Sequence, residues 1–331
     1  MAGRRRLPWR RLCPTLPPLR PSEEAGLTTP AAIETQQLTK TYGKQCGIVE
    51  LDLEVKAGEV FGFLGPNGAG KTTTIRLLLD LIRATTGRAR VLGYDSHRDT
   101  LAIQARCGYL PGELSLYPGL TGAETLRYLA NLRGGVDWDH VHALGERLDC
   151  DLARKVGELS SGNKRKLGLI QAFMHRPQLL MLDEPTSGLD PLVQHEFYAL
   201  VDEARDAGQT VFVSSHVLPE VQRLCDRVAF IREGRLVALE DVAVLTGRAV
   251  REIEVVFAVP VCPEALAGVA GVTHVATYGK SASTLRLTVT GSLDATLKKL
   301  AEYPVLDLTS RLPDLEDVFM TFYAQADDDA S

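Results

Sequence analysis

Short apolar runs of strand length alternate with stretches of helical period along most of the chain. The apolar runs fall at residues 59–64, 87–93, 178–182 and 210–214, and the helical stretches at 73–82, 191–206 and 218–224. Two further segments are strand-like, namely 33–55 with a turn near 42–44, and 227–239 with a hairpin turn at Glu233-Gly234. Because such alternation buries a sheet between helices, the pattern predicts an α/β domain with a mostly parallel sheet.

Residues from about 95 to 176 have a helical composition, so we expect them to form a separate lobe. Thr121-Gly122-Ala123-Glu124 is a capping box and predicts a helix that runs to about Arg133. Two more helices are predicted, one over 139–148 and one that follows Ser160-Ser161-Gly162 and ends near His175.

After Thr246 the pattern changes to β-α-β-β-α-β, which is the split-βαβ arrangement. The predicted elements are strands at 250–259, 271–278, 283–290 and 304–310, and helices at 263–268 and 293–301. A last helix is expected over 315–323, followed by an acidic tail at 324–331. We therefore expect a small α+β accessory domain over 246–323.

The composition is that of a soluble globular protein of about two domains, with 331 residues, 45% hydrophobic and 24% charged. The net charge of −5 gives no general attraction to nucleic acid. Residues 1–20 contain six arginines, four prolines and no acidic residue, so we expect 1–32 to be a disordered basic arm. The apolar part of that arm is short and broken by prolines, which does not fit a signal peptide.

The sequence contains no run of about 18 apolar residues, so any membrane role is expected to depend on a partner. Its six cysteines form no C-x-x-C pair and are interpreted as reduced packing residues of a cytosolic protein.

The most specific motif is G-x-x-x-x-G-K-[ST], a phosphate-binding loop between a predicted strand and a predicted helix. Glycines let the backbone wrap an anion, and the new helix offers its free N–H groups and positive dipole end. Lys71 is expected to reach the β- and γ-phosphates of a nucleoside triphosphate, and Thr72 to bind Mg²⁺. The nucleotide-binding residues predicted here are Gly65, Pro66, Asn67, Gly68, Ala69, Gly70, Lys71, Thr72 and Thr73.

Leu179-Leu180-Met181-Leu182-Asp183-Glu184 is an apolar strand that ends in two carboxylates, the Walker B arrangement. A strand end is rigid, so Asp183 can bind Mg²⁺ through water while Glu184 polarises the attacking water. An acidic turn after a strand is the alternative, and the nearby phosphate-binding loop argues against it.

Leu159-Ser160-Ser161-Gly162-Asn163, at the start of a predicted helix, resembles the Leu-Ser-Gly-Gly-Gln signature of the ATP-binding cassette (ABC) family. Two positions depart from the signature, since Ser161 replaces a glycine and Asn163 the glutamine. The resemblance covers about Ile33 to Leu239. It implies a P-loop NTPase of the ABC cassette fold over 33–245, with a mixed sheet core and antiparallel β and helical subdomains, and it implies that Ser160, Ser161, Gly162 and Asn163 contact nucleotide.

Other family elements follow in order. Pro185-Thr186-Ser187-Gly188-Leu189-Asp190 resembles the D-loop, so that Asp190 is a candidate nucleotide contact. Ser214-Ser215-His216 resembles the switch segment, in which His216 would touch the γ-phosphate and orient the water at Glu184. Tyr42 matches the aromatic residue that stacks on adenine. The resemblance thus assigns catalysis to Lys71, Glu184 and His216.

One family element is missing. The glutamine of the Q-loop normally follows a strand such as Tyr109-Leu110-Pro111, but Gly112 stands there, with Glu113 next. The glutamine helps to sense magnesium and links the site to the membrane subunit. We expect Glu113 to take its place.

The resemblance also implies partners. Two cassettes, most simply two copies of this chain, would clasp ATP and Mg²⁺ between the P-loop of one and the signature of the other. A separate transmembrane permease would dock near residues 113–126, which places the pair at the cytoplasmic face of the membrane. Leu312-Pro313-Asp314-Leu315-Glu316-Asp317-Val318-Phe319 resembles the closing motif of drug and antibiotic exporters, so we expect an exporter.

Two other functions stay open at this point. A soluble ABC ATPase acting on ribosomes or DNA would fit the motifs, although no second cassette, coiled-coil or zinc insertion is present. A weakly active regulatory cassette is suggested by the departures at Gly112, Ser161 and Asn163. A GTPase is disfavoured because Asn163-Lys164-Arg165-Lys166 lacks the aspartate of N-K-x-D.

Overall fold

The computed structural model describes residues 31–43, 45–247, 251–278 and 283–311. The arm up to residue 30, the helix expected at 315–323, the Leu312–Phe319 motif and the acidic tail lie outside the described residues. In chain order the strands are β1 (Ala31–Tyr42), β2 (Gln45–Lys56), β3 (Val60–Leu64), β4 (Thr86–Val91), β5 (Tyr94–Asp95), β6 (Cys107–Leu110), β7 (Leu179–Asp183), β8 (Thr210–Ser215), β9 (Arg227–Arg232), β10 (Arg235–Asp241), β11 (Arg251–Phe257), β12 (Val272–Thr277), β13 (Thr284–Val289) and β14 (Val305–Arg311).

Helices connect most of these strands. They are α1 (Lys71–Leu78), α2 (Thr100–Arg106), α3 (Gly122–Leu132), α4 (Trp138–Arg147), α5 (Ser161–Phe173), α6 (Pro191–Asp206), α7 (Leu218–Leu224), α8 (Val242–Gly247), α9 (Glu264–Ala267) and α10 (Asp294–Leu300), with a short 3₁₀ turn at Val156–Glu158. In the described residues, no helix is long and apolar enough to cross a membrane.

The central sheet has the order β10-β9-β3-β8-β7-β6. Its strands are parallel except for β10, which returns from β9 through the predicted turn at Glu233-Gly234. Every residue of β3, β7 and β8 is buried, as the continuous apolar runs predict for strands covered on both faces. Because the strands are parallel, their carboxyl ends share one edge of the sheet, and the predicted catalytic motifs follow those ends.

Strands β1 and β2, which precede the P-loop, form a second sheet with β4 and β5, which follow α1; its order is β2-β1-β4-β5 and it is antiparallel. Residues from this sheet, from α1 and from one face of the central sheet share an apolar core that includes Ile33, Leu51, Ile75 and Phe212. This arrangement confirms the α/β class and the antiparallel β subdomain. Strand β1 begins at Ala31, so the expected arm is two residues too long where it meets the sheet.

The segment 95–176 is less uniformly helical than predicted. Strand β6 lies inside it and pairs in parallel with β7, so this part belongs to the central sheet. Helices α3, α4 and α5 do follow, and the capping box is confirmed by bonds from Thr121 N to Glu124 Oε2 (2.8 Å) and from Glu124 N to Thr121 Oγ1 (3.1 Å). Apolar residues of these helices, such as Leu126 and Leu144, share one core cluster with Leu182 of the sheet.

The bounds of α1 also differ from the prediction of 73–82. The helix begins at Lys71 and ends at Leu78, although apolar residues continue to Ile82. Asp80 has φ of 53°, and the N–H groups of Leu81 and Ile82 both donate to Arg76 O. A left-handed residue with such bonds closes a helix, so the apolar residues beyond it belong to a turn. Helices α6 and α7, by contrast, have their predicted bounds.

The last sheet has the order β12-β13-β11-β14 with every neighbouring pair antiparallel. Together with α9 and α10 this confirms the predicted β-α-β-β-α-β topology. Its core cluster includes Ile253, Phe257, Leu285 and Leu287. The division of the chain into an ATPase domain over 33–245 and an accessory domain over 246–323 stays a prediction.

Candidate active site

The phosphate-binding loop joins β3 to α1. Two of its glycines are required because a side chain at their positions would clash with neighbouring atoms. A Cβ on Gly65 would lie 2.3 Å from Ile231 O, and a Cβ on Gly70, where φ is 113°, would lie 2.5 Å from Ile48 Cδ1. Gly68 has φ of 82° and no heavy atom within 4 Å of such a Cβ, so the loop is open on that side. Pro66, Asn67 and Gly68 are exposed, which leaves their backbone accessible to an anion.

Lys71 is the first residue of α1 and is buried, with 6% exposure. Its Nζ donates to Gly65 O at 2.6 Å and to Pro66 O at 3.2 Å, and it lies 3.2 Å from Glu184 Oε1. The ammonium group is therefore held by its own loop and by the carboxylate that follows β7. Phosphate oxygens would have to compete with these acceptors.

Thr72 and Asp183 meet at the same edge of the sheet, as predicted for the metal site. Thr72 Oγ1 donates to Asp183 Oδ2 at 2.7 Å, and Ser214 Oγ donates to Asp183 Oδ1. A hydroxyl and a carboxylate are hard oxygen donors of the kind that Mg²⁺ uses beside phosphate oxygens and water. Among the described residues, no group of three or more His, Cys, Asp or Glu side chains could hold a metal.

Glu184 lies between a lysine and a histidine. Its Oε1 faces Lys71 Nζ, and its Oε2 lies 2.7 Å from His216 Nδ1. The Glu184 backbone has φ of 51°, a left-handed conformation that costs a residue with a side chain about 1–2 kcal/mol. The N–H of Glu184 donates to Ser214 O at 3.0 Å, which holds this conformation against β8.

Tyr42 ends β1 and is half exposed, at 49%. Lys40 Nζ lies 5.1 Å from the centroid of its ring. A Cβ on Gly47 would lie 3.0 Å from Tyr42 Cε2 and 3.4 Å from Thr73 Cγ2, so the ring lies beside the start of α1. Stacking of Tyr42 on a base stays a prediction that fits this position.

The signature segment lies at the start of α5. Ser160 is the N-cap residue, and its Oγ accepts from Asn163 N at 3.3 Å, while Ser161 is exposed. A Cβ on Gly162 would lie 2.7 Å from Gly188 O, so the signature packs against the D-loop. In the described chain, no hydrogen bond or ion pair joins residues 160–163 to the loop at 65–73.

Asp190 closes the D-loop as the N-cap residue of α6. Its Oδ1 accepts from Val193 N at 3.0 Å, and this bond is the main cause that lowers the pKa of Asp190. The carboxylate is more than half exposed and lies 3.8 Å from Lys166 Nζ. A role in nucleotide binding stays a prediction.

The position expected to carry the Q-loop glutamine faces the metal site. A Cβ on Gly112 would lie 3.0 Å from Asp183 Oδ2, so the backbone reaches the site without a side chain. Glu113 is exposed, and no hydrogen bond or ion pair of its carboxylate occurs among residues that the structure describes. That Glu113 replaces the glutamine stays a prediction.

Three residues of the site were not found from the sequence. Ser214 holds Asp183, and the parallel register that pairs Asp183 with Ser214 could have indicated it. Glu220, four residues after His216, accepts from Ser215 Oγ at 2.6 Å, and burial raises the pKa of Glu220. Arg165 on α5 contacts the ends of β6 and β7, and no local signal indicates that contact.

Comparison with known proteins identifies the family of this chain. Residues 48–187 match the sequence profile described as "ABC transporter". The chain is 40% identical over 213 residues to the bacitracin transport ATP-binding protein BcrA of Bacillus licheniformis, covering 63% of this chain and 69% of BcrA. It is 34% identical to the linearmycin resistance ATP-binding protein LnrL of Bacillus subtilis, over 62% and 68% of the two chains. It is 38% identical to the daunorubicin/doxorubicin resistance ATP-binding protein DrrA of Streptomyces peucetius, over 62% and 64%.

Solved structures with a similar fold are also ABC ATP-binding cassettes. An ATP-binding subunit of an ABC transporter superposes with a TM-score of 0.60 at 28% identity, over 65% of this chain and 91% of the other. The ATP-binding cassette MJ0796, solved as a dimer with ADP and phosphate, gives 0.59 at 20% identity, over 63% and 98%. At that identity the second likeness concerns the fold alone.

Proposed function

Because the chain belongs to the ABC transporter family, we propose that it is the ATP-hydrolysing subunit of an exporter of antibiotics, drugs or other hydrophobic compounds. It would drive a separate transmembrane permease through ATP-dependent closure of a dimer. Support for export comes from the names of the relatives, which describe bacitracin transport and resistance to linearmycin and to daunorubicin or doxorubicin. The same relatives argue against the soluble alternative on ribosomes or DNA.

One observation carries the proposal. Three motifs far apart in the sequence place Lys71, Thr72, Asp183, Glu184 and His216 within one connected set of contacts. These contacts lie where β3, β7 and β8 end, the edge at which α/β proteins bind nucleotides. This is the set of groups that phosphoryl transfer to water requires: an anion cradle, a metal site and a carboxylate with an orienting partner.

Each side chain has a distinct role in this proposal. The P-loop N–H groups and Lys71 hold the phosphates, and Thr72 and Asp183 would hold Mg²⁺, which supplies positive charge against the developing phosphate charge. Glu184 orients and polarises the attacking water, and His216 fixes the Glu184 carboxylate. Hydrolysis needs no covalent bond to the protein, so rigid placement of these groups carries the catalysis.

The isolated chain presents only one side of a nucleotide site. Ser160 and Ser161 are exposed, and no hydrogen bond or ion pair joins residues 160–163 to the P-loop of the same chain in the described residues, which supports a second copy as the donor of the other side. A homodimer is the simplest such partner. We further propose that a permease docks near residues 113–126 and keeps the dimer at the cytoplasmic face of the membrane.

A weakly active regulatory cassette is the second candidate, because Gly112, Ser161 and Asn163 depart from the family pattern. The contacts that join Lys71, Glu184 and His216 favour an active ATPase over this candidate. Serine and asparagine also keep polar groups at the start of α5, where Ser160 already caps the helix.

Phosphate release from the purified chain tests the enzyme. The wild type should hydrolyse ATP, whereas Lys71→Ala and Glu184→Gln should reduce the rate by at least about 10²-fold. Glu203→Gln is the matched control, since Glu203 pairs with Arg147 on the surface. Equal rates for the wild type and Lys71→Ala would rule out hydrolysis at this site.

Export is tested by co-expression with a candidate transmembrane permease. Cells should accumulate less of a fluorescent drug such as an anthracycline, and Glu184→Gln should abolish that difference. Accumulation that is unchanged by co-expression of the wild type would reject drug export while leaving the ATPase intact.

A further inference from the structure

Arg165 is a buried arginine on α5 whose guanidinium group contacts two loops at once. Its exposure is 5%. Nη1 donates to Pro111 O at 2.7 Å and to Gly112 O at 2.9 Å. Nη2 donates to Asp183 O at 2.7 Å and to Glu184 O. One side chain thus bonds four backbone carbonyls.

Three of these four carbonyls follow the ends of two neighbouring parallel strands, and the fourth belongs to Asp183, the last residue of β7. The register of β6 and β7 ends at the pair Leu110 and Leu182, so the pairing of these two strands does not extend to the four residues. Buried carbonyls that leave a ladder need other donors. The planar guanidinium supplies them with a fixed fork of N–H groups, which an ammonium group does not have.

The conformation of Glu184 gives this contact its importance. Glu184 has φ of 51°, and such a conformation persists in a side-chain-bearing residue only where the surroundings hold it. Its N–H donates to Ser214 O, and its C=O accepts from Arg165 Nη2 and from Ser187 N at 3.2 Å. These bonds fix both ends of the residue, and therefore the direction in which its carboxylate projects towards His216.

Gly112 explains why the connection between the turn after β6 and the end of β7 is made by an arginine of another element. Its backbone lies against Asp183, yet it has no side chain to join the turn after β6 to the end of β7. Arg165 makes that connection from α5, four residues after Ser161. The charge of the guanidinium is offset by nearby carboxylates, since Asp183, Glu184 and Glu220 oppose the lowering of the pKa of Arg165 by burial.

We propose that Arg165 is a positioning residue for hydrolysis, which fixes the backbone of Glu184 and ties it to α5. This inference rests on the proposed role of Glu184. Because α5 begins with the signature segment, a movement of that segment would be transmitted to the backbone of Glu184 by the buried side chain of Arg165. In the described structure no hydrogen bond or ion pair joins Arg165 to the P-loop or to His216, so it reaches the catalytic residues through the backbones of Asp183 and Glu184.

Arg165→Lys tests the proposal, because lysine keeps the charge but cannot bridge four carbonyls. We expect kcat for ATP to fall at least about tenfold, as small misplacements of a catalytic group do, while KM and the Kd for ATP change by less than about threefold. Arg147→Lys is the matched control, because Arg147 joins α4 to Glu203 on the surface. It should leave kcat within about twofold of the wild type.

A double-mutant cycle separates positioning from general support of the fold. In a Glu184→Gln background, Arg165→Lys should cause no further loss of kcat, since the group it positions is already gone. A further tenfold loss in that background, or an unchanged kcat for Arg165→Lys alone, overturns the proposal. A loss of ATP affinity that matches the loss of kcat overturns it too.

Folding of the variant is checked first by circular dichroism and thermal melting. If Arg165→Lys does not fold, Arg165→Gln is measured in the same way, because glutamine removes the buried charge. Failure of both variants to fold assigns Arg165 to the core alone and overturns the proposal. A wild type without ATPase activity would instead reject the proposed function itself.

Discussion

The Glu184 carboxylate and the His216 imidazole are joined by a 2.7 Å contact between Oε2 and Nδ1. The glutamate is mostly buried, whereas the histidine side chain is 50% exposed. Nδ1 of the imidazole contacts the carboxylate, and we predict that the exposed face of the ring meets a phosphate. This division of tasks follows from the positions of the two residues at the ends of β7 and β8.

His216→Ala should lower kcat on the order of 10²-fold, because Glu184 loses the partner that orients it, while ATP binding through the P-loop stays near the wild-type level. Steady-state phosphate release and equilibrium ATP binding measure the two quantities separately. His195→Ala, an exposed histidine on α6, is the control and should change neither. A wild-type rate for His216→Ala would contradict the proposed contact.

Glu184→Gln should bind ATP at least as tightly as the wild type. In the described structure Glu184 Oε1 lies 3.2 Å from Lys71 Nζ, so a phosphate must displace a carboxylate to reach the ammonium group. The neutral amide removes that competition. Titration with a fluorescent ATP analogue measures the Kd, with Glu203→Gln, a surface carboxylate on α6, as the control. Weaker binding by Glu184→Gln alone would show that the ion pair does not compete.

Gly162→Ala tests the contact between the signature and the D-loop. A Cβ at this position would lie 2.7 Å from Gly188 O, so either α5 or the loop has to move. We expect a loss of stability of about 1–3 kcal/mol, typical of overpacking, together with slower hydrolysis. Gly119→Ala is the matched control, because no heavy atom lies within 4 Å of a Cβ there. Chemical denaturation of both variants gives the comparison.

The parts of the site that the sequence predicted are contiguous motifs at strand ends. The P-loop, Asp183-Glu184 and His216 each follow a buried apolar run, and parallel strands bring their carboxyl ends together. The contacts of Arg165 were not predicted because its four acceptors are backbone carbonyls of distant segments. Every residue has such a carbonyl, so the sequence does not indicate which ones accept a hydrogen bond. The side chain alone looked like one more basic residue after the signature.

The fold was predicted least well where local and tertiary signals conflict. Strand β6 has four residues and lies in a segment of helical composition, so periodicity did not predict it, although the family resemblance implied a strand at 109–111. The apolar residues after Leu78 continue the helical period, yet Asp80 ends the helix by its left-handed backbone. Both errors arose because the spacing of hydrophobic residues indicates which side chains are buried but does not indicate which backbone groups form hydrogen bonds.

Glu220 should make stability depend on pH. Burial raises the pKa of Glu220 above the usual value of 4.5, so the folded chain binds its proton more tightly than the unfolded chain. The stability from this group is complete below pH 4.5 and is lost as the pH rises through the higher folded pKa. Glu220→Gln should therefore gain stability relative to the wild type as the pH rises. Urea unfolding of both proteins at pH 5 and pH 8 measures this, and a difference that is the same at both values would exclude the effect.

The two predicted domains should unfold separately, because their apolar cores share no residue in the described structure. Leu180 lies in the central sheet and Leu287 in the last sheet, and both are fully buried. Each change to alanine should cost about 2–5 kcal/mol of unfolding free energy in its own domain. Calorimetry should show two transitions. Leu287→Ala should lower the temperature of one of them and leave ATP hydrolysis unchanged. Leu180→Ala should lower the temperature of the other and reduce hydrolysis. One transition lowered equally by both changes would mean that the cores fold as a unit, and the boundary near residue 246 would then have no energetic basis.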